Sequence, residues 1–266
     1  MNKFKFYLIS LVLLIFSFLF AEFDYVTIPP GADPSVSAED GGNGFDKIAS
    51  SLGYQTHIFT QDEIKYFGSD KAVKGGTLHD VATRFPATMR LFGREANYLE
   101  NYWIEILCYE SLLEGHPLTA DPVIPKLASH WKISDDKMQF WFRIDPEARW
   151  SDGAPVTSAD VIATWDLLMD ETILAPSEQI TYGKFERPVA GRIYIVSVKA
   201  KSLDWMNLLN FAYHMTLHPA HYLNELDGTA YIEEYLFKMP GSDISFQYLH
   251  LIESTSSFQL EPILAL

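Results

Sequence analysis

Three histidines toward the end of the chain have the spacing most typical of a metal site. His214, His218 and His221 would lie on one face of an unbroken helix, where imidazole nitrogens can bind a transition-metal ion. Pro219 lies inside this group and lacks the amide hydrogen that a continuous helix needs. The pattern therefore favours ordinary loop and helix-start histidines, and no metal ligand is assigned from the sequence.

Paired acids are the residues best suited to acid–base chemistry. Asp135 with Asp136 and Glu233 with Glu234 are adjacent in the chain. Neighbouring side chains point apart on a strand or a helix, so neither pair can flank one reacting bond. We interpret both pairs as solvated surface charge.

The single cysteine, Cys108, is the remaining candidate nucleophile, and it excludes an intrachain disulfide framework. Glu105 and Glu110 lie close to it in sequence and oppose the basic setting that a catalytic thiol needs. The chain also lacks the common phosphate-loop, GxSxG and HExxH motifs. No catalytic residue and no cofactor are assigned, and the protein is predicted not to be an enzyme.

Aromatic side chains are concentrated between residues 131 and 165 and could line a ligand cleft. Most of them fit the core, because Phe140 and Phe142 alternate with polar neighbours as in a strand with one apolar face. Trp141 and Trp150 fall outside this apolar face. They are therefore the aromatic residues that we predict to bind ligand.

Composition limits the class of protein. The chain has 266 residues, of which 48% are hydrophobic and 14% aromatic, enough to bury a sizeable core. Acidic residues outnumber basic ones by 35 to 20, which gives a net charge of -15. Such a surface repels a nucleic-acid backbone, so DNA and RNA binding are disfavoured.

Residues 1–21 have the layout of a secretory signal peptide. Lys3 and Lys5 precede an apolar run over residues 6–20, and Ala21 is a small residue suited to a cleavage site. The run is shorter than the roughly 20 residues that cross a bilayer as a helix, which disfavours the alternative of an uncleaved anchor. Because no cysteine follows the run, a lipid anchor through an N-terminal cysteine is not expected. The mature protein is expected in the periplasm or outside the cell.

Helix and strand patterns mix along the rest of the chain. An apolar helical spacing begins at Leu99 and is predicted to end at a Gly115 C-cap. Strands are predicted over residues 130–133 and 138–144, joined by the polar turn 134–137.

A second helix is predicted after Thr157, whose hydroxyl can cap it together with Asp160. Residues 194–200 alternate as a further strand, and residues 205–213 are interpreted as another helix or buried segment. The absence of a strict repeat favours a mixed α/β or α+β fold.

Four segments of the chain occur in an order shared with a known family. They are KGGTL at residues 74–78, YESLLEGHP at 109–117, IPKLASHWKISDD at 124–136 and FWFRIDPEARWSDGAPVTSADVIATWDLL at 140–168. Through these segments the chain resembles the bacterial extracellular solute-binding proteins of family 5, the oligopeptide, dipeptide and nickel type. The series from Arg149 to Val161 is the most specific match, and we interpret it as a strand, a turn and a helix cap.

The resemblance implies a periplasmic-binding-protein type II-like fold and a role in an ABC transporter. Such proteins enclose an extended peptide between two lobes and deliver it to a membrane permease. By position, Thr83, Arg84 and Phe85 match a loop that pairs with the ligand backbone in relatives.

The resemblance also implies an incomplete protein. We expect a signal peptide (1–21), an extended leader (22–73), a partial solute-binding domain (74–242) and an unmatched tail (243–266). This would correspond to an N-terminal lobe with its inserted subdomain and without the second lobe, so peptide binding is expected to be weak or lost. A secreted peptide hydrolase and a cell-surface binding module without a transport role remain alternatives, as do nickel complexes and sugars as ligands.

Overall fold

In a computed structural model of the chain, the described residues are 36–60, 63, 86–88, 90–116, 118 and 123–223. The predicted signal peptide, the KGGTL segment and the C-terminal tail lie outside them. Among the described residues, no helix is long and apolar enough to cross a membrane.

Helices and strands are mixed in this part of the chain, as predicted. The strands are β1 (Leu113–Gly115), β2 (Val123–Pro125), β3 (Ala128–Ile133), β4 (Gln139–Ile144), β5 (Val189–Arg192) and β6 (Ile195–Lys199). The α-helices are α1 (Leu99–Cys108), α2 (Ser158–Met169), α3 (Pro176–Tyr182), α4 (Asn207–Ala212) and α5 (Ala220–Leu223). Single turns of 3-10 helix lie at Ala38–Asp40, Phe45–Lys47, Ser50–Leu52 and Glu171–Ile173.

An antiparallel sheet with the strand order β3-β4-β6-β5 organises the core. The predicted hairpin is confirmed as β3 and β4, and Lys137 in its turn takes a left-handed conformation with φ 59°. Phe140 pairs with Val198 and Phe142 with Val196, and all four side chains are buried on one face. Because side chains alternate along a strand, this register directs one apolar face of the sheet into the core.

Helix α2 begins with the predicted capping box. The Thr157 hydroxyl accepts a hydrogen bond from the Ala159 amide, and Asp160 accepts one from the Thr157 amide at 2.6 Å. Val161 and Leu168 are then buried in the core cluster that includes the sheet residues. The cap fixes where the helix starts, and the buried apolar face fixes the orientation of the helix about its own axis.

Helix α1 differs from the sequence prediction. It ends at Cys108, and the predicted cap residue Gly115 lies in β1. The chain becomes extended at Tyr109 because it must place Leu112 and Leu113, both 0% exposed, in the core.

The apolar face of α1 is exposed, contrary to the burial expected of an amphipathic helix. Its exposed side chains are Leu99, Tyr102, Trp103, Ile106 and Leu107. Asn101 is the buried residue of this helix.

Residues 36–56 pack against the outer face of the sheet through Arg143. This guanidinium donates hydrogen bonds from Nε to the Gly41 carbonyl at 2.7 Å and from Nη1 to the Ser129 hydroxyl at 2.7 Å. It also lies 5.2 Å from the ring centre of Phe45, which is 0% exposed. The sequence predicted Arg143 on a polar face, but the side chain is only 4% exposed because the N-terminal segment covers it.

Arg143→Ala should lower the free energy of unfolding by about 3 kcal/mol, because it leaves the buried Gly41 carbonyl oxygen without its donor and opens a gap beside Phe45. Urea unfolding measures the change. Arg187→Ala is the matched control: Arg187 pairs with Asp166 on the surface, so its removal should cost about 1 kcal/mol or less. Equal losses in the two variants would contradict the anchoring role of Arg143.

Candidate functional site

A surface cleft of about 340 Å³ lies between α1, the loop before it and the start of α3. Tyr98, Asn101, Tyr102, Glu105 and Glu178 supply its polar groups. The cleft is open to solvent, since Tyr102 is 54% exposed.

Asn101 fixes the loop that forms one wall. Its side-chain amide donates to the carbonyl oxygens of Arg90 at 2.7 Å and Ala96 at 2.8 Å. Its Oδ1 has no hydrogen-bond partner although the residue is 2% exposed. A buried amide oxygen without a donor costs free energy, so this atom can gain from a new hydrogen bond.

Gly93 allows the two walls to approach closely. Its φ is 93°, and a Cβ built there would lie 2.5 Å from the carbonyl oxygen of Ile173. Any other residue would therefore be strained and would push the loop away from the segment before α3.

The two carboxyl groups of the cleft share an unfavourable environment. Burial raises the pKa of Glu105, and the charge of Glu178 raises it further, while a hydrogen bond from Thr216 lowers it. Burial likewise raises the pKa of Glu178, against a hydrogen bond from Ser177. Both carboxylates would gain from a cationic or N–H donor in the cleft.

These groups favour reversible binding over covalent chemistry. The oxygens of Asn101, Glu105 and Glu178 can accept hydrogen bonds from amide or ammonium groups, and the tyrosine rings offer apolar contact. Cys108 follows on α1, but burial raises the pKa of its thiol, which opposes nucleophilic attack.

The sequence-predicted binding residues do not line this cleft in the part of the chain that the structure describes. Thr83, Arg84 and Phe85 lie outside the described residues. Trp141 is half-buried on the outer face of the sheet, where Lys132 Nζ lies 5.2 Å from its ring centre. Its role in binding stays a prediction.

Trp150 belongs to the turn that precedes α2. Its amide donates to the Ala154 carbonyl and its carbonyl accepts from Gly153, both at 2.8 Å, and Gly153 has a φ of 87°. The partly buried indole packs against the core. The turn and the cap predicted for this series are confirmed, whereas the predicted strand is reduced to an isolated bridge between Arg149 and Pro155. Ligand binding by Trp150 stays a prediction.

The clustered histidines have separate surroundings. His218 is buried near the rings of Phe92 and Tyr109, at centre distances of 5.2 and 4.5 Å, and burial lowers its pKa to about 3. His221 contacts the Asp152 carboxylate on the surface. His214 is exposed beside Tyr213.

Sequence reasoning missed the cleft because the apolar helical spacing that begins at Leu99 predicted an amphipathic helix with its apolar face buried. The available signal was Asn101, a polar residue within an apolar helical pattern. Its burial depends on the fold of the preceding loop, which the spacing does not predict.

Comparison with known proteins places part of the chain in a family. Residues 122–242 match the model of the bacterial extracellular solute-binding proteins, family 5 Middle. This segment, less than half of the chain, is similar to family 5. The matched residues include the β3–β4 hairpin, the capping box and α2. They begin after α1 and after most of the residues that line the cleft.

Two curated relatives are similar to shorter parts of the chain. The periplasmic murein peptide-binding protein MppA of Escherichia coli is 35% identical over 74 residues, which are 27% of this chain and 14% of the relative. The periplasmic oligopeptide-binding protein OppA of Salmonella typhimurium is 32% identical over 104 residues, or 36% of this chain and 18% of the relative. The chain therefore spans less than a fifth of either relative in these matches.

A solved structure is also similar to part of the chain. It is the oligopeptide-binding protein AppA from Bacillus subtilis in complex with a nonapeptide, with a TM-score of 0.49 and 22% identity. The match covers 60% of this chain and 31% of that chain.

Glu178→Gln should stabilise the protein at pH 7. A carboxyl group whose pKa is raised on folding contributes stability below its unfolded pKa and loses it as the pH rises through the folded pKa. The wild type should therefore lose stability as the pH rises above the ordinary value of 4.5, while the variant avoids this loss. Urea unfolding at a series of pH values measures the difference, which should vanish in acid.

Glu171→Gln is the control for this variant because Glu171 is an exposed acid just before α3. It should have little effect at any pH. A Glu178→Gln variant that is less stable than wild type at pH 7 would contradict the electrostatic account of the cleft.

Proposed function

We propose that this chain acts as the substrate-binding component of an ABC importer that captures peptides outside the cytoplasmic membrane. The match to family 5 supports this proposal, together with two curated relatives of parts of the chain that are named as periplasmic peptide-binding proteins. A membrane permease is the partner that would receive the peptide.

The cleft supports peptide capture through the chemistry of its acceptors. A peptide presents backbone N–H groups and an ammonium terminus, which suit the carboxylates of Glu105 and Glu178. Tyr98 and Tyr102 would contact peptide side chains without demanding one sequence. The proposed role of the cleft is therefore to hold the main chain.

Lobe closure would explain selective delivery. In a two-lobed binding protein, the ligand favours the closed state only when its contacts bridge both lobes. The cleft described here is open, so it would supply contacts from one side. Weak binding by the 266-residue chain follows, in line with an impaired capture function.

Export and the absence of catalysis complete the proposal. A periplasmic or extracellular location would follow from cleavage of residues 1–21 as a signal peptide. The cleft offers hydrogen-bond acceptors. The neighbouring thiol of Cys108 has a raised pKa, which opposes its use as a nucleophile. Binding without hydrolysis is therefore proposed over a secreted peptide hydrolase.

Calorimetric titration with tri- and pentapeptides should give dissociation constants weaker than about 1 μM. Tyr102→Ala should weaken binding at least about threefold, because it removes an aromatic contact from the cleft. Trp205→Ala is the matched control, since Trp205 is 85% exposed and is not among the residues lining the cleft.

Three outcomes would contradict parts of this proposal. No response to any peptide at millimolar concentration would overturn peptide capture, and binding tighter than micromolar would overturn the one-sided cleft. Peptide fragments in the mass spectrum after incubation would favour the hydrolase.

A further inference from the structure

Two side chains that are close in sequence meet a third from a distant part of the chain. They are His57, Glu63 and His116, and one ligand atom from each lies within 4.8 Å of the other two. His57 Nε2 lies 3.2 Å and His116 Nε2 lies 3.1 Å from the same oxygen, Glu63 Oε1. Two imidazole nitrogens and a carboxylate oxygen thus converge on one point.

We propose that His57, Glu63 and His116 form a binding site for a divalent metal ion of the zinc class. The donor set is the first reason. Imidazole and carboxylate together suit zinc, whereas calcium and magnesium prefer sites built from oxygen atoms alone.

The distances fit this ion. Zinc bonds to nitrogen and oxygen measure about 2.0–2.2 Å, so ligand atoms at the corners of a tetrahedron lie about 3.3 Å apart. Both nitrogen–oxygen separations in the cluster are already close to this value. Small side-chain movements would make room for the ion, with water as the remaining ligand.

The Glu63 carboxylate is held in place by Thr60. Its Oε2 accepts a hydrogen bond from the Thr60 amide at 2.7 Å, and the Glu63 amide donates to the Thr60 hydroxyl at 3.2 Å. This reciprocal pair occupies one carboxylate oxygen and leaves Oε1 turned toward the two imidazoles. Such support of a ligand by neighbouring hydrogen bonds is typical of metal sites.

His57 supplies a nitrogen that the rest of the fold leaves unsatisfied. Its Nε2 is shielded from solvent and makes no hydrogen bond, despite its closeness to Glu63 Oε1. The ring packs edge-on against Phe59 and His116, at centre distances of 5.0 and 5.3 Å. A metal ion would give this nitrogen a partner without turning the ring.

His116 must change its proton position when the ion binds. Its Nδ1 accepts a hydrogen bond from the Leu118 amide at 3.1 Å, which places the proton of the neutral ring on Nε2. Metal binding at Nε2 moves that proton to Nδ1, and the Leu118 amide then bonds to water. Leu118 is 45% exposed, so water can reach this part of the loop.

The ion would cross-link distant parts of the chain. His57 and Glu63 lie in the N-terminal region, whereas the side chain of His116, 2% exposed, follows β1. Metal binding would therefore fasten His57 and Glu63 to the end of β1, which pairs antiparallel with β2. Sequence reasoning missed the site because His116 lies far from His57 and Glu63 in the chain.

Calorimetric titration of the metal-free full chain with zinc should give one site. Cobalt in place of zinc should give the visible absorption of a tetrahedral ion. His57→Asn, Glu63→Gln and His116→Gln should each weaken zinc binding about 100-fold or more, since loss of an outer-shell partner alone costs 10–100-fold. The matched control His214→Gln changes an exposed histidine outside the cluster and should leave zinc binding unchanged.

Circular dichroism without metal separates loss of the site from loss of the fold. If either histidine variant is unfolded, Glu63→Gln decides the question, because its amide oxygen can still accept the Thr60 hydrogen bond. The proposal is overturned if the wild type does not bind zinc. It is also overturned if a folded Glu63→Gln variant binds zinc as tightly as the wild type does. The three side chains would then form a hydrogen-bonded cluster without a role in metal binding. Neither result bears on peptide capture by the cleft.

Discussion

Asp160 is a buried carboxylate on which the packing of α2 depends. The residue is 2% exposed, and its two oxygens accept hydrogen bonds from the amides of Thr157 at 2.6 Å and Ala220 at 2.7 Å. Burial raises the pKa of Asp160, while hydrogen bonds from Ala220 and Thr157 lower it. The carboxylate therefore joins the start of α2 to the start of α5.

This arrangement explains why the most specific sequence match of the chain needs no catalytic role. The turn at Gly153 brings the chain back to Thr157, and the cap then directs Val161 into the core. Thr164, one turn farther along α2, accepts a hydrogen bond from the His218 amide at 2.8 Å. Thr157, Ser158 and Asp160 of the series thus have structural partners.

Local patterns predicted the parts of the fold that local interactions determine. The capping box needs only Thr157 and Asp160, and the β3–β4 hairpin needs a polar turn between alternating strands, so both were visible in the sequence. The burial of Arg143 was not, because its partner Gly41 lies 102 residues away. The cleft was missed for a different reason: the fold of the loop that precedes α1 buries Asn101, and helical spacing does not predict that fold.

The most direct test of this account is urea unfolding of Asp160→Ala and Asp160→Asn at neutral pH. Asp160→Ala should lose about 3 kcal/mol, because it removes a helix cap and leaves buried amides of two segments without an acceptor. Asp160→Asn keeps one acceptor oxygen and should lose less. A loss below about 1 kcal/mol for Asp160→Ala would contradict the structural role assigned to this residue and to the series that contains it.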